Sequence, residues 1–183
     1  MIEYDIIESV FRYKKAKRTG LPYIRHIDQG LHLLRHLKAS PVVQGAWCLH
    51  PLFQLDEQFL PLMKGHGASL LHGVNFMVVA LAMEYRASAN SYLTKDAMYI
   101  DRHPILSPVP EVNLMLGVDK VQNFRDAKLH LYQHISRSEQ DVLEGYFRSW
   151  LRALSLSLND IEEMVAELGK HDQRLPGWLT PPK

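Results

Sequence analysis

The chain has one cysteine, Cys48. An internal disulfide is excluded, and a lone thiol inside the apolar run Ala46-Trp47-Cys48-Leu49 reads as a small core residue. No stretch reaches the ~18 uninterrupted apolar residues of a membrane span; the longest run, Phe76 to Met83, is half that or less. No charged-then-apolar leader opens the chain, so a cytoplasmic protein is expected, with no membrane partner. Charge of one sign is missing too: 21 Lys and Arg face 20 Asp and Glu, for a net +1. A chain so balanced has no global attraction to nucleic acid or to an acidic membrane surface. Period-two alternation, internal repeats and low-complexity tracts are absent as well. What is present fits one globular unit over residues 1–183: 46% hydrophobic and 22% charged residues, and enough length for a sizeable core.

The apolar positions recur at helical spacing. Ile2, Ile6, Ile7, Val10 and Phe11 predict a first helix, ending in the basic cluster Lys14, Lys15, Lys17 and Arg18 and broken by Thr19-Gly20-Leu21-Pro22. A second helix is expected over about 27–37 and a third from Ser40-Pro41 through His50. Residues 74–93 are dense in Ala, Met, Leu and Val and predict a long, largely buried helix. Three prolines mark 94–110 as an ordered loop. Helical spacing returns over 111–132, Ser136 and Glu139 form a capping-box pair, and Asn159 with Glu162 repeats that signature for a last helix closed by Gly169. An all-α protein follows.

Three segments carry candidate chemistry. Lys17-Arg18-Thr19-Gly20-Leu21-Pro22-Tyr23-Ile24-Arg25-His26 is a basic turn leading to a histidine; Trp47-Cys48-Leu49-His50-Pro51 places a histidine at the end of an apolar helix. Asp119, flanked by Met115, Val118 and Val121, puts an acid on an apolar face. A buried carboxylate needs a partner or a metal. Two histidines and an aspartate from three helices offer nitrogen and oxygen ligands to one divalent cation. The plainer reading is also open. A histidine on an apolar face is more often a hydrogen-bonded core residue, and Asp119 has Lys120 and Arg125 as nearby ion-pair partners. Met83-Glu84-Tyr85-Arg86 adds two charges, projecting on different faces of an apolar helix, that are either structural or part of a site.

Taken in order, these segments resemble the RelA/SpoT-type hydrolase domain and its small stand-alone relatives. Lys17 to His26 is similar to that family's basic, Gly, Pro-Tyr-Ile, His stretch. Asp119-Lys120-Val121-Gln122-Asn123-Phe124-Arg125-Asp126 is similar to its Ala-Asp-Lys/Arg-Leu-x-Asn-Leu/Met-Arg stretch, and Leu49-His50 falls at its Leu-Leu-His-Asp. The likeness runs from about residue 14 to 168 and is weak over 60–110. It implies an HD-type helical bundle holding manganese through His26, His50 and Asp119, and hydrolysis of the 3′-pyrophosphate of guanosine tetra- and pentaphosphate. Lys17, Arg18 and Arg25 would hold phosphates of such a nucleotide, with Asn123 near its nucleoside.

The departures from that pattern are specific. The aspartate of the His-Asp pair is Pro51 here, and the acidic Glu-Asp couple that follows is Gln54 and Leu55. An amide does not take a proton from water as a carboxylate does. Glu57, seven residues beyond His50, is the one acid placed to substitute on the same helix face, if the helix survives Pro51. Two functions stay in competition: a metal-dependent nucleotide phosphohydrolase with impaired or redirected hydrolysis, and a catalytically inactive relative that binds a nucleotide or a protein. A helical module with relic motifs is the third.

Overall fold

A computed structural model describes residues 1–16, 19–54, 67–91 and 104–173. Among these residues all regular structure is helical, apart from an isolated bridge between Lys15 and Pro22. The helices are α1 (Ile2–Phe11), α2 (Tyr23–His36), α3 (Pro41–Gln54), the single turn α4 (Gly67–Leu70), α5 (Phe76–Ser91), α6 (Pro110–Asp126), α7 (Arg137–Ala153) and α8 (Leu158–Asp172). The all-α expectation holds, and no helix among the described residues is long and apolar enough to cross a membrane.

The centre of the fold is α3. It is buried from Gly45 through Phe53 and packs against α1, α2, α5 and α6. A helix apolar on every side is stable only when other helices cover every side, and Cys48 is fully buried in it as expected. α6 is the second hub, in contact with α2, α3, α5, α7 and α8. His50 on α3, His26 on α2 and Asp119 on α6 therefore approach one another from helices that meet in pairs.

Several boundaries differ from the sequence reading. α2 starts a turn earlier, at Tyr23, with Pro22 as its N-cap in a non-helical conformation (φ −58°, ψ 133°); Arg25 and His26 thus lie within it. Pro51 does not end α3, which continues to Gln54. α5 runs over Phe76–Ser91, and its first two residues, Phe76 and Met77, are exposed. α6 stops at Asp126, where the backbone widens into a π-turn (Ala127–Leu131) and then a 3₁₀ turn (Tyr132–His134). Nothing in the structure explains that widening. The Ser136–Glu139 capping box is present, but the cap of α8 is Ser157 with Asp160, two residues before the expected pair, and the helix passes through Gly169 to Asp172. Of the expected loop 94–110, residues 104–109 are described. Ser107 is tied to Asn113 by two hydrogen bonds (3.0 and 2.9 Å).

Glu84 and Arg86 are structural charges here. Arg86 Nη1 donates to the carbonyls of Phe53 and Gln54 (2.5 and 3.0 Å), and Asn90 also donates to Gln54 (3.2 Å). A guanidinium that donates to helix carbonyls makes charge-assisted hydrogen bonds and so ties α5 to this stretch of α3. Glu84 accepts from Ser107 Oγ at 2.6 Å, anchoring the start of the segment leading into α6. Replacing Arg86 with alanine is expected to destabilise the chain by about 1.5–3 kcal/mol, the range for hydrogen bonds to a charged group. Urea denaturation measures this, and a variant as stable as the natural chain would refute the tethering role.

Candidate metal centre

Three of the ligand-type residues predicted from sequence come together. The ligand atoms of His26, His50 and Asp119 all lie within 4.8 Å of one another. His26 Nε2 is 3.4 Å from His50 Nε2 and 3.6 Å from Asp119 Oδ1. His50 and Asp119 are buried, while His26 is partly exposed on one side.

Trp47 sets the spacing of the two imidazoles. Its ring is 5.0 Å from that of His26 and 4.5 Å from that of His50, and its Nε1 donates to the Ile27 carbonyl at 3.0 Å. Room for this indole between α2 and α3 exists only because residue 30 is glycine: a Cβ there would lie 2.0 Å from Trp47 Cζ2. On the other side of His50, the buried ring of Tyr85 from α5 packs at 4.8 Å.

Protonation follows from burial. Desolvation holds His50 far down, at about 3, with the neighbouring His26 adding to the effect. It also lowers His26, against the pull of Asp119. Both imidazoles are therefore neutral at pH 7. His50 Nδ1 lies 2.6 Å from the Trp47 carbonyl. A carbonyl only accepts, so Nδ1 carries the hydrogen and Nε2 presents a bare lone pair toward the cluster. Burial by itself would raise Asp119, but Lys120 together with the two histidines outweighs it and holds the carboxyl at about 2. Lys120 Nζ donates to Asp119 Oδ2 at 2.7 Å, and Asn123 Nδ2 donates to Oδ1 at 2.7 Å. Of the two ion-pair partners open to Asp119, the fold selects Lys120. Arg125 goes elsewhere. The Lys120 ammonium is buried, held charged by Asp119 against its own desolvation, and lies 5.0 Å from the Trp150 ring centre.

The other predicted site residues are placed differently. Asn123 is beside the cluster, where it orients Asp119. Arg25 is 2% exposed and donates to Asp172 Oδ2 at 3.0 Å, with Asp126 Oδ1 3.8 Å from its Nη1. Arg125 donates to the same Asp172 oxygen at 2.5 Å and Gln29 to the other. This second polar cluster was missed from sequence because Asp172 lies 147 residues from Arg25, with no local signal joining them. His32 and His36, unremarkable in the sequence, pair across α2 and α8 with Glu167 (3.4 Å) and Glu163 (2.8 Å). Lys17, Arg18, Leu55 and Glu57 lie outside the described residues.

The donor set fits a cation in chemistry, and the two edges that meet at His26 fit one in spacing. A tetrahedral ion with bonds of ~2.1 Å holds neighbouring ligand atoms about 3.4 Å apart, close to the 3.4 and 3.6 Å seen here. In charge the fit is poorer: two neutral imidazoles, one carboxylate and one ammonium already sum to zero. No family model matches this sequence, no curated protein matches it, and no solved structure matches its fold.

Proposed function

We propose that the chain is an HD-type helical domain that binds one divalent cation through His26, His50 and Asp119, and that it belongs to the nucleotide phosphohydrolases acting on guanosine tetraphosphate-like substrates, with hydrolysis impaired. One observation carries this reading: ligand atoms from three helices lie within 4.8 Å of one another, with His26 at the edge length of a coordination shell from both His50 and Asp119. The segment likeness at His26, His50 and Asp119 to the RelA/SpoT-type domain supplies the substrate class and manganese as the metal.

A divalent cation held there supplies Lewis-acid polarisation of a phosphoryl oxygen and a lowered pKa for bound water. The chain's own contribution is definite. His50 offers Nε2 because Nδ1 is committed to Trp47. Asn123 and Lys120 fix both oxygens of Asp119. Partly exposed His26 marks the side on which a ligand reaches the cluster. The acidic couple that would give general-base help is Gln54 and Leu55 in this chain; such help is commonly worth ~10²–10⁴-fold.

Calorimetric titration with manganese tests the metal. One ion per chain is expected, and His26→Ala should weaken uptake by more than the ~10–100-fold that loss of an outer-shell partner costs. Equal uptake by both proteins would sink the assignment. Turnover is tested by a manganese-supplemented assay with guanosine tetraphosphate, run beside a Pro51→Asp, Gln54→Glu, Leu55→Asp variant. The natural chain should be slow and the variant faster; vigorous turnover by the natural chain would refute impairment.

The buried Lys120–Asp119 pair favours a second reading, a catalytically inactive protein that binds a nucleotide or protein partner. In that reading the ammonium is the internal counter-charge of Asp119 and no cation is needed. Absence of manganese uptake, with no hydrolysis by either chain, would decide for it.

A further inference from the structure

We propose that Pro51 is a positioning residue: by withholding a backbone N–H from the Trp47 carbonyl, it leaves that carbonyl to His50 Nδ1 and so turns the bare Nε2 of His50 toward His26 and Asp119. In an α-helix the carbonyl of residue 47 accepts from the N–H of residue 51. Pro51 lies inside α3, which continues to Gln54, and proline has no N–H to give. The freed carbonyl is deep in the core, where an unmatched acceptor is costly. His50, one residue before the proline and one turn after Trp47, reaches it at 2.6 Å.

The rings around His50 leave this as the polar partner of Nδ1. Trp47 packs at 4.5 Å on one side and Tyr85 at 4.8 Å on another, so the imidazole is clamped as well as bonded. A donor on residue 51 would not abolish the His50 bond, because a carbonyl has two lone pairs. It would share the acceptor and weaken the preference for one tautomer. A residue that removes a potential carboxylate ligand thereby fixes the imidazole that stays. The orientation of a metal-binding histidine is generally set by what its other nitrogen bonds; here a helix carbonyl does it. The consequence for metal affinity rests on the reading proposed above. The tautomer does not.

Long-range ¹H–¹⁵N NMR of the full chain reads the tautomer directly, with the His50 signals assigned by their loss in His50→Gln. The natural chain should show Nδ1 protonated and Nε2 bare. In Pro51→Ala the ratio of Nδ1–H to Nε2–H should fall about 2–3-fold, the low end of one net neutral hydrogen bond, because the acceptor is shared and not lost. Zinc, a diamagnetic probe, should bind weaker only in proportion to the fall in the fraction of chains with a bare Nε2. Pro51→Ser restores the same N–H and replaces the alanine variant if that one fails to fold. A natural chain with Nε2–H at His50, or a folded variant with an unchanged ratio, overturns the proposal. If the natural chain takes no zinc while the ratio still shifts in the variant, the positioning role stands and the metal reading falls.

Discussion

Replacing Gly30 with alanine is expected to destabilise the chain by about 3–5 kcal/mol, comparable to emptying a large aromatic core site. The added Cβ would lie 2.0 and 2.1 Å from two atoms of the Trp47 ring. No rotamer adjustment at the far end of a flexible chain relieves that contact, because the obstacle is a rigid, fully buried indole. Either α2 and α3 part, or Trp47 leaves its slot and gives up its bond to Ile27 and its stacking on His26 and His50. Thermal melting should register a fall of roughly 6–20 °C at 2–4 °C per kcal/mol for a chain of this size. Gly145 provides the contrast. It lies in the exposed part of α7, and a methyl group added there would meet nothing within 4 Å. The same Gly→Ala change there should stabilise by about 0.5–1 kcal/mol, since helical alanine loses less backbone entropy. If both variants melt with the natural chain, the close approach of α2 to the indole is not what holds these helices together.

Asp172→Ala should cost about 3 kcal/mol, the low end of the usual loss when a buried charge loses its partner, because Arg25 is buried while the Asp172 side chain is 22% exposed. Asp172 accepts from Arg25, Arg125 and Gln29, joining the last turn of α8 to α2 and α6. Without it Arg25, 2% exposed, retains among the described residues only the distant Asp126 (3.8 Å) as a counter-charge. Acid should act on the same contact. Burial raises the Asp172 carboxyl, but Arg125 and Arg25 outweigh it and hold the group below the usual carboxylate range. A carboxylate whose folded pKa is depressed gives stability above its unfolded value and loses it as pH falls through the folded one. The natural chain should therefore lose stability as pH drops below about 4. In Asp172→Asn that part of the loss should be absent, with lower stability throughout the neutral range. Urea midpoints measured from pH 7 to pH 3 decide this; parallel curves for the two proteins would show that Asp172 carries no folding-linked proton.

The sequence by itself determined the helical class, and the reason is local. Apolar spacing at Ile2, Ile6, Ile7 and Phe11 and the Ser136–Glu139 cap act over three or four residues, and the structure has them as read. Local signals also mislead where two satisfy the same rule. Ser157–Asp160 and Asn159–Glu162 have the same spacing two residues apart, and the extended backbone at Ser157 selects the first.

The site was legible only as residue types. Histidine and aspartate on apolar faces announced that His50 and Asp119 would be buried. Which groups they meet depended on how α2, α3 and α6 cross. Only the tertiary structure decided that Lys120 rather than Arg125 pairs with Asp119, because helix rotation turns Arg125 toward Asp172 and Lys120 toward the core. It also showed why glycine stands at position 30 and where Arg86 ends, since an indole slot and a guanidinium–carbonyl contact are each built by two elements distant in sequence. Spacing along one chain encodes the face of a helix; it does not encode the partner that the face will meet.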